Sequence, residues 1–426
     1  MYFKRSHTTN QRIERITMKT AVVGIDIAKD IHAAQVTDFR GRTLTPRHLS
    51  FTNDRMGFEK LLNWIQQVQS KHRLTSVLIG LEPTGHYWFN LTQWLLTHQI
   101  PVVLVNPVTT HRNKENRDNS PSKSDPKDAL VIAELVSRGY YTEYVPQTET
   151  FERIKTLMSD REFWVKMLGS LSNRIVRWID LYFPEFRQVF EDWTCVRAIA
   201  TLKAFPLPSE LQQRTVEEVV QGWYEQGMRR AGGMTGKAKA AQLLQAASRS
   251  IGHSHAREEA RRDLARLIEE YERIVQQLHE MQQEVEALLE ELPLARQLRS
   301  IPGLGTITIA ALLACAGDLS QYAHGRQLLR RAGLNLAEHT SGKHKGEVKL
   351  SKRGSGMLRK YLYLGTLSLI AQNPEFKRMH ERNQSKGMKK MASVFKCIGK
   401  LARIIIGMVQ RGETYRPERM YLPSAA

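Results

Sequence analysis

Three short apolar runs constrain this chain most: TAVVGIDIA at 20–28, SVLIGLE at 76–82 and PVVLVNP at 101–107. Each is interrupted within nine residues, the length of a buried strand rather than of a helix. IHAAQVTDF and GRTLTPRHLSF read as a second and a third strand, and GFEKLLNWIQQVQS and YWFNLTQWLLTH as helices. A meander followed by β-α-β-α predicts a mixed-sheet α/β domain over 20–150. Two of the runs carry an acid. Asp26 is embedded in VVGIDIAKD, and Glu82 ends the second run. A carboxylate in a buried strand is costly unless it is paired or holds a cation.

A second pair of acids lies in SKSDPKDALVIAEL, residues 122–135. Asp125 precedes Pro126, and the apolar spacing from Leu130 to Val136 is helical, so Asp125 can cap a helix and Asp128 can favour its positive end. Residues i and i+3 also share a helix face, with Cβ atoms about 5–6 Å apart, close enough for two carboxylates to share a cation. Locally the two readings stay open. With Asp26 and Glu82 the set becomes Asp-Glu-Asp-Asp, four hard oxygen donors that suit Mg²⁺ and phosphodiester chemistry. No His or Cys cluster of metal-ligand spacing competes with it.

Beyond residue 150 the pattern is helical. From Leu264 through Leu267, Tyr271, Ile274, Leu278, Met281, Val285 and Leu288 to Leu292, apolar residues recur at steps of three and four. This is a coiled-coil seam, to be closed by a second chain or by an antiparallel helix over 151–182. Within 151–292, residues 184–255 carry Pro206, Pro208 and RRAGGMTGKAKA, and read as an insertion or linker. Residues 293–426 form a further, mostly helical unit. Its IPGLGTITIAALLA resembles a helix-hairpin-helix, in which Gly303 and Gly305 would expose backbone N–H groups to a DNA phosphate. A plain tight turn is the alternative; a dinucleotide fingerprint is not, since Thr308 replaces its third glycine.

The charge is lopsided. Lys+Arg number 63 against Asp+Glu 43, a net charge of +20. Between Ser341 and Lys390 there are 13 basic and 3 acidic residues, half of that excess in fifty positions. A polyanionic partner, most simply nucleic acid, is expected. Cys195, Cys315 and Cys397 form no CxxC pair, which fits a reducing cytoplasm. The N-terminus is basic without an apolar core and no run is long enough to span a membrane, so no membrane partner is expected.

GIDIAKD, LEPTG, the NP at 106–107 and SDPKDA, in this order, resemble the RuvC-like domain of the bacterial insertion-sequence transposase family numbered one hundred and ten, relatives of the Piv-type DNA invertases. IPGLGTITIAALLA, RRAGLNLAEHTSG and LSKRGSGMLRKYLY are similar to its C-terminal domain. The resemblance spans most of 20–150 and 293–400. It implies an RNase H/RuvC-like fold for 20–150 and a serine-bearing domain over 293–426, with the helical coiled-coil linker read from the apolar spacing over 151–292 between them. It assigns Asp26, Glu82, Asp125 and Asp128 to an Mg²⁺ site and makes Ser341 a nucleophile that forms a phosphoserine intermediate. Lys343, Lys345, Lys349, Lys352 and Arg353 lie close enough in sequence to neutralise phosphate, and Ser351 and Ser355 are the nearby rivals of Ser341. The implied partners are donor and target DNA, a structured bridge-type noncoding RNA and further copies of the chain, as a dimer or tetramer. The implied location is the bacterial cytoplasm, at the nucleoid.

Two other readings remain at this level. One is a metal-dependent nuclease of Holliday-junction type that uses the four acids without a serine. The other is a non-catalytic nucleic-acid-binding protein whose acids are structural. The acids in apolar strands argue against the second, and the basic serine-bearing region against the first.

Overall fold

A computed structural model describes residues 5–118, 125–337, 340–341, 344–345 and 348–420, with backbone alone at 5–8, 114–118, 125, 340–341, 344–345 and 420. The chain forms two compact units, Met1–Pro146 and Gln147–Ala426.

The first unit is built on one sheet. After helix α1 (Arg5–Glu14) come strands β1 (Thr20–Asp26), β2 (Ile31–Thr37) and β3 (Leu49–Thr52). Helix α2 (Arg55–His72), strand β4 (Ser76–Leu81), helix α3 (Trp88–Thr97) and strand β5 (Val102–Leu104) follow, then helices α4 (Pro107–Asp118) and α5 (Asp125–Ser137) and strand β6 (Thr142–Glu143). The strand order is β3-β2-β1-β4-β5-β6. β1, β2 and β3 pair antiparallel, β1, β4 and β5 parallel, and β6 closes the edge antiparallel to β5. This mixed sheet with covering helices is an α/β fold of RNase H/RuvC type. The expected third strand is interrupted around Pro46: its last residues belong to β3, and before the proline Thr43 bridges to Thr37.

Side chains alternate across the sheet with the period of two that strands impose. Val23, Ile25, Ile79 and Leu81 face one side and pack with Leu61 and Ile65 of α2 and Leu91 and Leu95 of α3. Val22, Leu78 and Val103 face the other and pack with Val131, Ile132, Leu135 and Val136 of α5. Between Val22 and Asp26 on the α5 face is Gly24, whose register partner on β4 is Gly80. A Cβ on Gly24 would run into the Ala129 carbonyl and the Ala133 nitrogen, and one on Gly80 into the Val136 side chain. The missing side chains let α5 lie directly on β1 and β4.

The second unit is organised by two helices of equal length, α6 (Glu149–Tyr182) and α12 (Arg257–Glu290). They run antiparallel. At one end Phe151, Ile154 and Met158 share a core with Val285, Leu288 and Leu289; at the other Ile175, Trp178 and Ile179 share one with Leu264, Leu267 and Ile268. The Trp178 indole donates to the Ala260 carbonyl at 2.9 Å. The heptad seam is therefore closed within the chain, and self-association through it is not needed to bury it.

Residues 184–255 are not a linker. They fold into α7 (Phe186–Val189), α8 (Val196–Ala204), α9 (Pro208–Leu211), α10 (Val216–Glu225) and α11 (Met234–Ser248) around the fully buried Trp223, whose Nε1 donates to Thr201 Oγ1 at 2.8 Å. The glycine-rich stretch supplies the start of α11, with Gly233 at its N-cap.

The C-terminal part carries α13 (Pro293–Arg299), α14 (Thr306–Ala316), α15 (Gly325–Arg331), the short strands β7 (Leu336–Ala337), β8 (Thr340–Ser341), β9 (His344–Lys345) and β10 (Lys349–Leu350), and then α16 (Gly356–Gln372), α17 (Pro374–Ser385) and α18 (Lys390–Arg411). Its core is continuous with the Phe151 end of the α6–α12 pair. Among the described residues no helix is long and apolar enough to cross a membrane.

Val285 has no exposed surface, so a charge there must be desolvated or expelled. Val285→Asp is expected to cost about 3–5 kcal/mol and to lower the helical circular-dichroism signal at 37 °C while leaving the light-scattering mass of the folded fraction unchanged. A drop in mass with full helicity would instead mean that the seam joins chains.

Candidate functional site

The sheet brings two of the four acids together. Ile25 and Leu81 are register partners on adjacent parallel strands, so Asp26 and Glu82, the next residue of each, emerge side by side at the ends of β1 and β4. Neighbouring strands are about 4.8 Å apart. Alternation sends Asp26 toward the α5 face, continuing the line Val22–Gly24, and Glu82 is the first residue beyond β4. Each is partly exposed.

Helix α5 supplies the other two. Asp125 is its first residue and Asp128 lies in its first turn. Asp128 immediately precedes Ala129, whose carbonyl rests on Gly24, two residues before Asp26. It is 3% exposed, so it points into the protein and not, as a dipole-balancing surface acid would, into solvent. The Asp125 side chain is outside the described residues. Among the described residues no three His, Cys, Asp or Glu side chains stand close enough together to hold a metal ion. The shared location thus rests on the strand register and on the seating of α5.

One residue at this site escaped the sequence reading. His32, on β2, is fully buried, with its ring edge-on to Phe51 at 5.2 Å between centroids. Its Nδ1 accepts the Ala28 backbone N–H at 3.2 Å, in the turn that follows Asp26. That bond places the ring proton on Nε2. Burial pushes the imidazole pKa down. Asn53 ties down the same turn: its Nδ2 donates to the Lys29 carbonyl at 3.1 Å and its backbone N–H to the Asp30 carbonyl at 2.9 Å. A lone histidine in a strand gives no sequence signal for this role, because its partner is a backbone amide.

In the second unit Ser341 sits in a narrow hairpin. β7 pairs with β10 and β8 with β9, both antiparallel, with Ser341 opposite His344; the segment 336–350, termed the arm, holds these four strands. The side chains of Ser341 and Lys345 and all of Lys343 lie outside the described residues. Gly333 (φ 68°) and Gly354 pack against each other's backbones at the base of the arm, and Arg359 Nη1 donates to the Ala332 carbonyl at 2.9 Å. Lys349, Lys352 and Arg353 are exposed there.

The two rival serines have structural work. Ser351 Oγ donates to Asn335 Oδ1 at 2.6 Å, bracing the arm's base. Ser355 Oγ accepts the Leu358 N–H at 3.2 Å and caps α16.

The two glycines of the helical hairpin differ. Gly303 has φ 90° and abuts Leu369 and Gln372 of α16, so turn geometry and packing both require it. Gly305 caps α14 with open space where a Cβ would stand. That leaves room for a phosphate to approach the first-turn amides.

Two family models match this chain. Residues 23–184 match the model described as an IS110-type DEDD transposase, and residues 295–381 that of the IS116/IS110/IS902 transposase family. Together they cover more than half of the chain, which belongs to this family of insertion-sequence transposases and is an enzyme of DNA recombination. The pilin gene-inverting protein of Moraxella bovis is 22% identical over 403 residues, covering 93% of this chain and 98% of its own. The transposase for insertion sequence element IS1111A of Coxiella burnetii is 24% identical over 405 residues, covering 93% and 91%. The solved T. thermophilus RuvC in complex with a Holliday junction substrate aligns with 29% of this chain and 99% of its own, at 14% identity and a TM-score of 0.22.

Replacing His32 by Leu fills the space but leaves the Ala28 N–H without its acceptor, at a cost of about 1–3 kcal/mol. Amide hydrogen exchange across 27–30 is expected to speed up at least tenfold, and His32→Asn, whose Oδ1 can reach the Nδ1 position, to recover part of the protection. Equal exchange in wild type and His32→Leu would mean that the bond does not hold the turn.

Proposed function

We propose that this transposase cuts and rejoins DNA strands through a covalent bond to Ser341, with Asp26, Glu82, Asp125 and Asp128 holding Mg²⁺. The observation that carries the metal half is the register Ile25–Leu81, which aligns Asp26 and Glu82, combined with the seating of the first turn of α5 on Gly24. Carboxylates drawn together around a substrate phosphate would raise one another's energy unless a cation joined them, and all-oxygen donors fit a hard one. When bound, Mg²⁺ would neutralise charge building on the phosphate.

In this reading Ser341, on β8, is the nucleophile, and the backbone contacts of Gly333 and Gly354, at the base of the arm, support the segment that carries it. In the proposed step Ser341 Oγ bonds to phosphorus, the bond from phosphorus to the leaving sugar oxygen breaks, that oxygen gains a proton and the serine loses one. One phosphodiester replaces another, so rejoining by the reverse attack needs no outside energy source. The exposed Lys349, Lys352 and Arg353 at the base are suited to holding the DNA backbone.

Partner choice completes the reading. A bridge-type RNA pairing with donor and target DNA would leave the protein to bind backbone and shape. Assembly into a dimer or tetramer would bring two DNA partners together, through surfaces other than the seam of α12. The protein as purified is then expected to carry RNA, and recombination by RNA-free protein on naked DNA would remove the guide from the account.

Ser341→Ala is expected to bind DNA as wild type does, yet to give no protein–DNA adduct on a denaturing gel and no recombinant. Asp26→Asn should keep the fold and lose at least a hundredfold in strand cleavage. A nuclease that relies on metal alone predicts cleavage by Ser341→Ala and no adduct from any variant.

A further inference from the structure

We propose that the outer face of α18, with Arg326 of α15 beside it, is a docking surface for the phosphodiester backbone of duplex DNA, separate from the arm that carries Ser341. The proposal rests on the DNA-recombining role and adds a surface to it.

From Arg382 to Gly412 the chain has eight Lys and Arg and no Asp or Glu. On α18 these charges are sorted by helix geometry. Val394, Cys397, Ile398, Leu401, Ala402, Ile405 and Ile406 are buried in the C-terminal core, which fixes the opposite face as the outer one. Along that face run Lys389, at the N-cap, Ala392, Lys396, Gly399, Lys400 and Arg403, at steps of three or four with one adjacent pair. Lys389, Lys396 and Arg403 are exposed and Lys400 is half-buried. A Cβ at Gly399 would meet nothing, so the stripe has an open floor between its cations.

A second element adds to the row. Gly325, at the start of α15, is so close to α18 that a Cβ there would stand 2.7 Å from the Ala402 carbonyl and the Arg403 nitrogen. This close crossing brings the backbone of the exposed Arg326 next to that of Arg403.

These cations have no internal use. Among the described residues none of Arg326, Lys389, Lys396, Lys400 and Arg403 takes part in an ion pair, whereas Arg411 on the same helix is paired with Glu413 at 3.0 Å. Lys400 is held below the usual lysine range by burial and then by Arg403, so like charges repel here without compensation. A polyanion laid along the stripe would relieve that repulsion.

The shape favours a regular duplex. From Lys389 to Arg403 the helix rises about 21 Å at about 1.5 Å per residue. That matches roughly six base-pair steps at about 3.4 Å each. The stripe consists of cations, Ala392 and Gly399, with no aromatic ring to stack an unpaired base and no amide side chain to read a base edge.

The test is binding of a fluorescently labelled 30-base-pair DNA of arbitrary sequence to the full-length protein, by anisotropy across a range of salt. K396Q/K400Q/R403Q is expected to raise Kd at least tenfold and to reduce the log–log salt slope by about two to three, since each lost phosphate contact removes about 0.9. Melting temperature should be unchanged, the three residues lying outside the core, and K396R/K400R should bind as wild type does. Lys396→Gln alone, at an exposed site, should show a smaller loss in the same direction if the triple variant misfolds. Wild-type affinity and slope in K396Q/K400Q/R403Q would overturn the proposal, as would loss of binding to a structured RNA with duplex-DNA binding intact. Failure of the wild type itself to bind duplex DNA would instead overturn the DNA-recombining reading on which the proposal rests.

Discussion

The first unit depends on a contact between backbones. Gly24 and Gly80 are partners on β1 and β4, and neither has a side chain to hold α5 away from the sheet. An alanine at Gly24 would put a methyl group where the Ala129 carbonyl now lies, and overpacking of this kind costs at least about 1–3 kcal/mol. The contact sets more than stability. It fixes where the first turn of α5 falls, and thus where Asp125 and Asp128 stand relative to the ends of β1 and β4. The glycine two residues before Asp26 belongs to the site as much as the acid does.

The sequence was informative where apolar periodicity and burial coincide. Helix α6 covers all of 151–182, where the spacing predicts a helix, and β1 and β4 fall within the apolar runs 20–28 and 76–82. It was less informative wherever the answer depends on a partner distant in sequence. The seam on α12 states that one face is apolar but not which helix covers it; Ile175, Trp178 and Ile179 of α6 do so. The helices between 184 and 255 include two of four residues, α7 and α9, too short for a 3.6-residue period to register, so their prolines and glycines dominated the reading. The role proposed for Ser341 rests on family resemblance alone, since a serine among lysines has no chemical mark of its own.

The acids and the cations are separated along the chain in a way that suits strand transfer. The proposed metal ligands are carried by strand ends and by a helix seated on the sheet of the first unit, where position matters most, because a metal site tolerates little displacement of its ligands. Exposed cations lie on α15, on α18 and at the base of the arm in the second unit, where they can meet a polymer whose charge repeats at every nucleotide.

The central claim is that the acids on the strand ends and those on α5 form one metal site. Mn²⁺ binding to wild type, Asp26→Asn, Asp128→Asn and the double variant, followed by electron paramagnetic resonance, tests it most directly. If the carboxylates share one cation, each single change should weaken binding at least tenfold, and the double change should cost clearly less than the sum of the two. Binding by Asp128→Asn at wild-type strength, or losses that simply add, would mean that α5 brings its aspartates to the sheet for structural reasons and that the metal site is elsewhere.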